Sequence, residues 1–311
     1  MKLLIINNLA SGFREGAIYD FMRSFIEDGD EVVVRSTDGT TQVAPLLTDA
    51  QDFDAVVASG GDGTVASVAY ELRNTNIPIL PFPAGTANIL ALNLMSPNEP
   101  HALAKIVREG HTLNFDLGEI TADGTNFGFA IMAGAGYDAL IMQEAATHKL
   151  LWGPMAYFSA AVTHLDPQYS EITLTLDGDT VIKTGGIGIL LVNFNKLQFD
   201  IPVTHDSEPC DGSLHVVVLK TKNAIELLPA VFSALLDREG NFPDRSNALE
   251  IHTVKSLHVE ADPAMTIQYD GETASATTPF DARILPSATR IIVSQEGYKL
   301  YAPNTTANCA H

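Results

Sequence analysis

Chemistry is first suggested by Gly60-Gly61-Asp62-Gly63-Thr64. Glycines let a backbone approach a phosphate closely, and where such a loop joins a strand to a helix, its N–H groups and the helix dipole both favour an anion. A carboxylate inside the loop repels phosphate, so Asp62 is expected to hold Mg²⁺ that bridges the phosphates, or water around that ion. A tight turn with Thr64 as helix N-cap is the plainer alternative, and three glycines bracketing a carboxylate count against it. No GxxxxGK[ST] segment occurs, so this is not a Walker loop. A second loop, Pro81-Phe82-Pro83-Ala84-Gly85-Thr86-Ala87-Asn88, offers Thr86 and Asn88 as short hydrogen-bonding groups for a nucleotide's phosphates or sugar. Taken alone it is a proline-rich turn. Asp211-Gly212 and Asp270-Gly271-Glu272, taken alone, are hairpin turns.

Alternating elements must position the two loops. Residues 2–6 read as a short apolar strand, and Ile18, Phe21, Met22, Phe25 and Ile26 recur at helical spacing. Strands are expected at 31–34, 53–58 and 77–80, and helices at 41–48, 65–72, 86–94 and 102–107, which puts each glycine loop between a strand and a helix. The pattern predicts an α/β domain with a mostly parallel sheet and ligands at the C-terminal ends of its strands. After about Leu117 strands follow one another, at 125–133, 171–176, 186–192, 214–219, 257–259 and 266–269, with Asp177-Gly178, Asp211-Gly212 and Asp270-Gly271 as turns. Apolar helices at 150–165 and 224–236 interrupt this β-rich sandwich. The expected domains are 1–118, α/β and nucleotide-binding, and 119–294, a β-sandwich for the substrate. A segment from about 295 to 311 returns to the first domain, and 303–311 is expected to be loose.

Composition narrows the function. The 311 residues carry 18 Lys+Arg against 38 Asp+Glu, a net charge of −20. That excess excludes a duplex nucleic-acid binder and opposes electrostatic adsorption to anionic lipid, where each nearby basic residue contributes ~1 kcal/mol. Cys210 and Cys309 form no CxxC pair and the nine His show no HExxH spacing, so zinc and redox chemistry are not expected. No run approaches the ~18 apolar residues of a spanning helix. The expected compartment is the cytoplasm, with peripheral contact at the inner membrane face.

Asn7-Asn8 with Ser11-Gly12, GGDGT at 60–64, PAGTAN at 83–88, Asp116-Leu117-Gly118, GAGYDA at 134–139, Lys149 with Gly153 and Tyr157, Cys210-Asp211-Gly212 and Asp270-Gly271-Glu272 share order and spacing with one family. In these motifs the chain resembles the diacylglycerol kinase catalytic-domain superfamily, which also holds sphingosine kinases, ceramide kinases and bacterial soluble lipid kinases. The resemblance implies an NAD-kinase-like and diacylglycerol-kinase-like fold, with ATP in the cleft between the two domains. It implies ATP-dependent phosphorylation of a lipid hydroxyl, on diacylglycerol or a related lipid. By matching motif, Asn8, Thr37, Gly60, Gly61, Asp62, Gly63, Thr64, Thr86 and Asn88 bind the nucleotide, and Asp62 and Glu272 are catalytic. Glu272 is the general base that accepts the hydroxyl proton. Asp211 holds a structural Mg²⁺ with the carbonyls of Glu208 and Ser213, and Asp116 belongs to the acidic, metal-linked set. Two departures stand out: Ile89 where several bacterial members carry Asp, and Asn8 where proline is commoner.

Other readings compete. NAD kinases and phosphofructokinases also use GGDG-type loops, and the second loop with the late Asp-Gly-Glu favours the lipid-kinase branch. A non-catalytic lipid- or nucleotide-sensing protein on the same scaffold is a further alternative, against which intact Asp62 and Glu272 argue. Homodimers are common among soluble relatives, so that state stays open. Leu150-Leu151-Trp152 with Met155, Tyr157 and Phe158 is expected to make a transient membrane-surface contact, because Trp and Tyr suit a boundary between apolar and wet surroundings. An ordinary core helix is the plainer reading of that stretch.

Overall fold

The computed structural model describes residues 1–11, 16–137, 167–194, 208–222 and 248–308. The expected helices at 150–165 and 224–236, with Lys149 and Trp152, lie outside the described residues. The chain divides into two compact units, Met1–Leu117 with Pro209–Asp211 and Pro286–His311, and Gly118–Glu208 with Gly212–Leu285.

Leu3, Leu4, Ile5 and Ile6 are all fully buried, a continuous apolar run of the kind a strand covered on both faces requires. They form β1 (Lys2–Asn8), which lies between β2 (Glu31–Thr37) and β3 (Ala55–Gly60), with β4 (Pro78–Pro83) next to β3. All these pairs are parallel. The helices of this unit are α1 (Ala17–Phe25), α2 (Asp62–Glu71), α3 (Ile89–Asn93), α4 (Pro100–Glu109) and α5 (Gln295–Asn308). Ile18, Phe21 and Phe25 of α1 turn inward at i, i+3 and i+7. Phe21 meets Phe82 edge-on at 5.6 Å, and Leu103 and Val107 of α4 join the same core. The chain returns late to this sheet, where Arg290 and Ile291 pair in parallel with Pro78 and Ile79.

Two expected helices are shorter than their pattern suggests. At 41–48 only a single 3₁₀ turn forms, Ala44–Leu46, because Pro45 lacks an N–H and little sequence separates it from the next turn at Ala50–Asp52. At 86–94 the helix starts only at Ile89, since Asn88 adopts the left-handed conformation at φ 51°.

In the second unit β7 (Met132–Gly136), β10 (Gly188–Val192), β11 (Leu214–Leu219), β12 (Leu249–Val254), β14 (Thr266–Tyr269) and β15 (Glu272–Thr277) form an antiparallel sheet in the order β12-β11-β10-β7-β14-β15. Facing it are β8 (Ser170–Leu176), β9 (Thr180–Gly186), β13 (Ser256–Asp262) and the first half of β16 (Phe280–Ile292), with β6 (Thr125–Phe129) hairpinned onto the end of β5 (Thr112–Ala122). Ile189, Leu191, Val216 and Ile267 from one sheet share a core with Phe129, Ile172, Leu174, Val259 and Phe280 from the other. This is a sandwich. The strand expected at 125–133 is broken at Ala130-Ile131, and that corner bears on the candidate site.

Candidate functional site

In the first unit the strand register collects the candidate residues at one edge of the parallel sheet. Asn8 at the end of β1 lies opposite Thr37 at the end of β2, Asn7 lies opposite Ser59, and Gly60 at the end of β3 lies opposite Pro83 at the end of β4. Four adjacent strand ends therefore place Asn8, Thr37, the 60–64 loop and the 83–88 loop side by side.

The two glycine loops are locked together. A Cβ on Gly85 would lie 2.4 Å from the Gly61 Cα, so only glycine permits the backbones to meet as they do. The Ala84 N–H donates to the Gly60 carbonyl at 3.1 Å. Asp62 opens α2 and spans to α3, where its Oδ2 accepts the Ile89 N–H at 3.0 Å and its Oδ1 the Leu90 N–H at 2.9 Å. The position that carries Ile89 in place of an aspartate thus contributes its backbone to the Asp62 carboxylate. Asn88 folds back on Gly85, donating through Nδ2 to the carbonyl and accepting the N–H at Oδ1, both at 2.8 Å. Thr86 is exposed on the loop between them.

Asn8 and Thr37 shape the neighbouring loops. Asn8 Nδ2 donates to Thr64 Oγ1 at 2.9 Å, and Asn8 Oδ1 accepts the Ala10 N–H at 2.9 Å, so an amide at this position connects the β1 loop to α2. Proline could form neither bond. The buried Thr37 hydroxyl donates to the Thr41 carbonyl at 3.1 Å and accepts the Gly39 N–H at 3.2 Å. Beside it Asp38 accepts the N–H and hydroxyl of both Thr40 and Thr41. The Thr40 N–H first, then the Thr41 N–H and the two hydroxyls, hold its carboxyl well below the usual range. Asp38 was not singled out by sequence; its signal is an Asp followed at two and three residues by hydroxyl side chains, an Asx-turn pattern.

Asp116 is buried and its carboxylate accepts the Ser287 N–H at 2.6 Å, while its own N–H donates to the Pro209 carbonyl at 2.8 Å. The short 209–211 segment, with Asp211, is thereby held against Asp116 within the first unit. Among the described residues no three His, Cys, Asp or Glu side chains converge as a metal-binding group.

In the second unit Glu272 starts β15, exposed, directly opposite Tyr269 across a two-residue turn. Both turn residues have positive φ, Asp270 at 42° and Gly271 at 87°, the signature of a type I′ hairpin. Burial, reinforced by the negative charges of Glu272 and Asp270, raises the Tyr269 phenol and keeps it protonated. The Asp270 carboxylate reaches the broken corner at 130–132, which sequence reading did not anticipate: Asp-Gly reads as a solvated turn, and nothing local reveals a partner 140 residues away.

Two family models match the chain. Residues 2–120 match the diacylglycerol kinase catalytic domain, and residues 131–293 match the YegS C-terminal NAD kinase beta sandwich-like domain. A protein named diacylglycerol kinase from Mycobacterium tuberculosis (strain ATCC 25618 / H37Rv) is 28% identical over 262 residues, 80% of this chain and 79% of that relative. An uncharacterized protein from Synechocystis is 28% identical over 260 residues, covering 80% of this chain but 57% of the relative, so the chain spans a little over half its length. A crystal structure of a diacylglycerol kinase from Bacillus anthracis str. Sterne superposes with a TM-score of 0.68 at 19% identity, over 95% of this chain and 97% of that one, and so shares its fold.

Proposed function

The chain belongs to the diacylglycerol kinase catalytic-domain superfamily, and on that premise we propose that it transfers the γ-phosphoryl group of Mg-ATP to a lipid hydroxyl, on diacylglycerol or a chemically related lipid. It is a phosphotransferase with an alcohol acceptor. The observation that carries the lipid-kinase reading is the rigid double loop: Gly61 against Gly85, with Asp62 and Asn88 fixing the second loop beside the first. The positive end of the α2 dipole lies at this loop and favours phosphate oxygens. Asn8, Thr37, Thr86 and Asn88 hold or border the nucleotide.

As the acceptor oxygen bonds to phosphorus it must lose its proton, and Glu272 takes it while the electron pair of the breaking P–O bond leaves with ADP. The residues present fit Mg²⁺, since carboxylates and carbonyls are the oxygen donors a hard cation takes. Asp62 would hold it at the phosphates. Asp211, the carbonyls of Glu208 and Ser213, and Asp116 would form the structural position. When bound, the ion neutralises phosphate charge. A cage of three converging carboxylates is not required where water and phosphate oxygens complete the shell.

With a net charge of −20, approach to a lipid surface relies on apolar contact, for which the 150–158 stretch, outside the described residues, is the candidate. No helix among the described residues is long and apolar enough to cross a membrane. The deciding experiment is incubation with labelled ATP and extracted total lipids, with identification of the product. A phosphorylated lipid is expected; label transfer to NAD instead, or Mg-ATP binding without turnover, would overturn the reading.

A further inference from the structure

Among the described residues no hydrogen bond or ion pair holds the Glu272 carboxylate, and its backbone is set by the hairpin pairing with Tyr269. That geometry is fixed by its neighbour. Asp270 Oδ2 accepts the Ala130 N–H at 2.5 Å, and Oδ1 accepts the N–H groups of Ile131 and Met132 at 2.9 and 3.0 Å. The Asp270 N–H returns a bond to the Met132 carbonyl at 2.8 Å. Three successive N–H groups converging on one carboxylate make an anion-binding nest, here filled by the protein's own side chain.

The nest is itself rigidly held. The buried Asn193 donates through Nδ2 to the Ala130 carbonyl at 2.7 Å and through its N–H to the Ile131 carbonyl at 3.0 Å, and the Phe194 N–H adds a bond to the same carbonyl at 3.2 Å. Tyr269 pairs with Ala133 on one side and with Glu272 on the other. A two-residue turn gives no slack, so a displaced turn carries Glu272 with it.

We propose that Asp270 is the positioning residue for Glu272, tying the hairpin tip to the 130–132 corner so that the base is presented at one fixed place. This rests on the assignment of Glu272 as the base, and it gives the aspartate of the Asp-Gly-Glu segment a task beyond turn formation. Asn at 270 suits the turn equally well, because it tolerates positive φ, but its amide cannot accept three N–H bonds with both ends.

The test is a double-mutant cycle in the full chain, with Asp270→Asn, Glu272→Gln and the double variant assayed for turnover, for KM of ATP and for thermal midpoint. Misplacing a reacting group by ~1 Å costs on the order of 10²-fold, so Asp270→Asn is expected to lower kcat ~10–100-fold with the KM of ATP unchanged. In the Glu272→Gln background, where the base is already gone, the same change should cost less than ~3-fold if the two residues act as one unit. Equal losses in both backgrounds, or no loss in either, overturn the positioning role. Glu272→Gln with wild-type turnover overturns the base assignment itself. Should Asp270→Asn not fold, Asp270→Glu, which keeps the charge but displaces the carboxylate by a methylene, runs the same cycle.

Discussion

Asn88 closes a ring on Gly85, donating to its carbonyl and accepting its N–H, each at 2.8 Å. One side chain thereby satisfies both backbone groups of the residue that lies against Gly61. Asn88→Asp keeps the size and the tolerance for left-handed backbone but cannot donate, and it adds negative charge beside a loop built for anions. The expected result is a loss of ~1–3 kcal/mol in chemical denaturation and at least ~10-fold weaker Mg-ATP binding by calorimetry, one decade being about 1.4 kcal/mol. Unchanged affinity would separate the 83–88 loop from the nucleotide.

Asp62 bridges α2 to the first N–H groups of α3, so its removal affects structure as well as chemistry. Asp62→Asn retains one acceptor and turns an N–H₂ toward a backbone N–H. Stability should fall by ~0.5–2 kcal/mol, as when a helix loses its capping group, together with turnover. A variant that loses turnover at an unchanged thermal midpoint would leave metal binding as the sole task of this carboxylate.

The parallel sheet and its glycine loops were legible because β1 and β3 are continuous apolar runs that end in residues of special backbone or hydrogen-bonding use. The strand order, with β16 returning beside β4, was not legible, because pairing between residues 78 and 290 leaves no local trace. β15 was missed for a different reason: Glu-Thr-Ala-Ser-Ala-Thr contains no large apolar residue, and only its small Ala274 and Ala276 turn inward. The roles expected of Asp62, Asn88 and Thr37 were ligand contacts. Their hydrogen bonds to N–H and carbonyl groups of adjoining loops are invisible to motif reading, since the same polar atoms serve either purpose.

Gly85→Ala isolates the contact between the loops. Its methyl group would fall 2.4 Å from the Gly61 Cα and 3.0 Å from the Gly61 nitrogen, backbone atoms that cannot rotate away. The loops must part. Mg-ATP binding is expected to be lost, while the far end of the sheet, around Arg290 and Pro78, keeps its amide protection in hydrogen exchange. Full binding by this variant would show that the loops need not touch.

Acid should weaken the first unit. The Arg108 guanidinium and the Glu27 N–H hold the Asp30 carboxyl well below its ordinary 3.8, and Arg35 does the same for Asp49. Because the folded pKa is depressed, each contributes stability above the unfolded value and loses it as pH falls from about 4 towards the folded value. The midpoint difference between wild type and Asp30→Asn should therefore be largest above pH ~5 and shrink below pH ~4. A difference independent of pH would mean that the Asp30 charge does not contribute.

Glu272→Gln tests the assigned chemistry most directly. The variant preserves the length, the hairpin and the Asp270 bonds, and it changes only the capacity to take a proton. Loss of a general base costs typically 10²–10⁴-fold, so turnover on the accepted lipid should fall by about that factor. Mg-ATP affinity should stay near the wild-type value, because the glycine loops lie in the other unit. The thermal midpoint should also hold, since Glu272 is exposed and Asp270 secures the turn. A fall in kcat alone, with KM for ATP and midpoint unchanged, assigns proton transfer to this carboxylate; wild-type turnover would require a different group to take the proton.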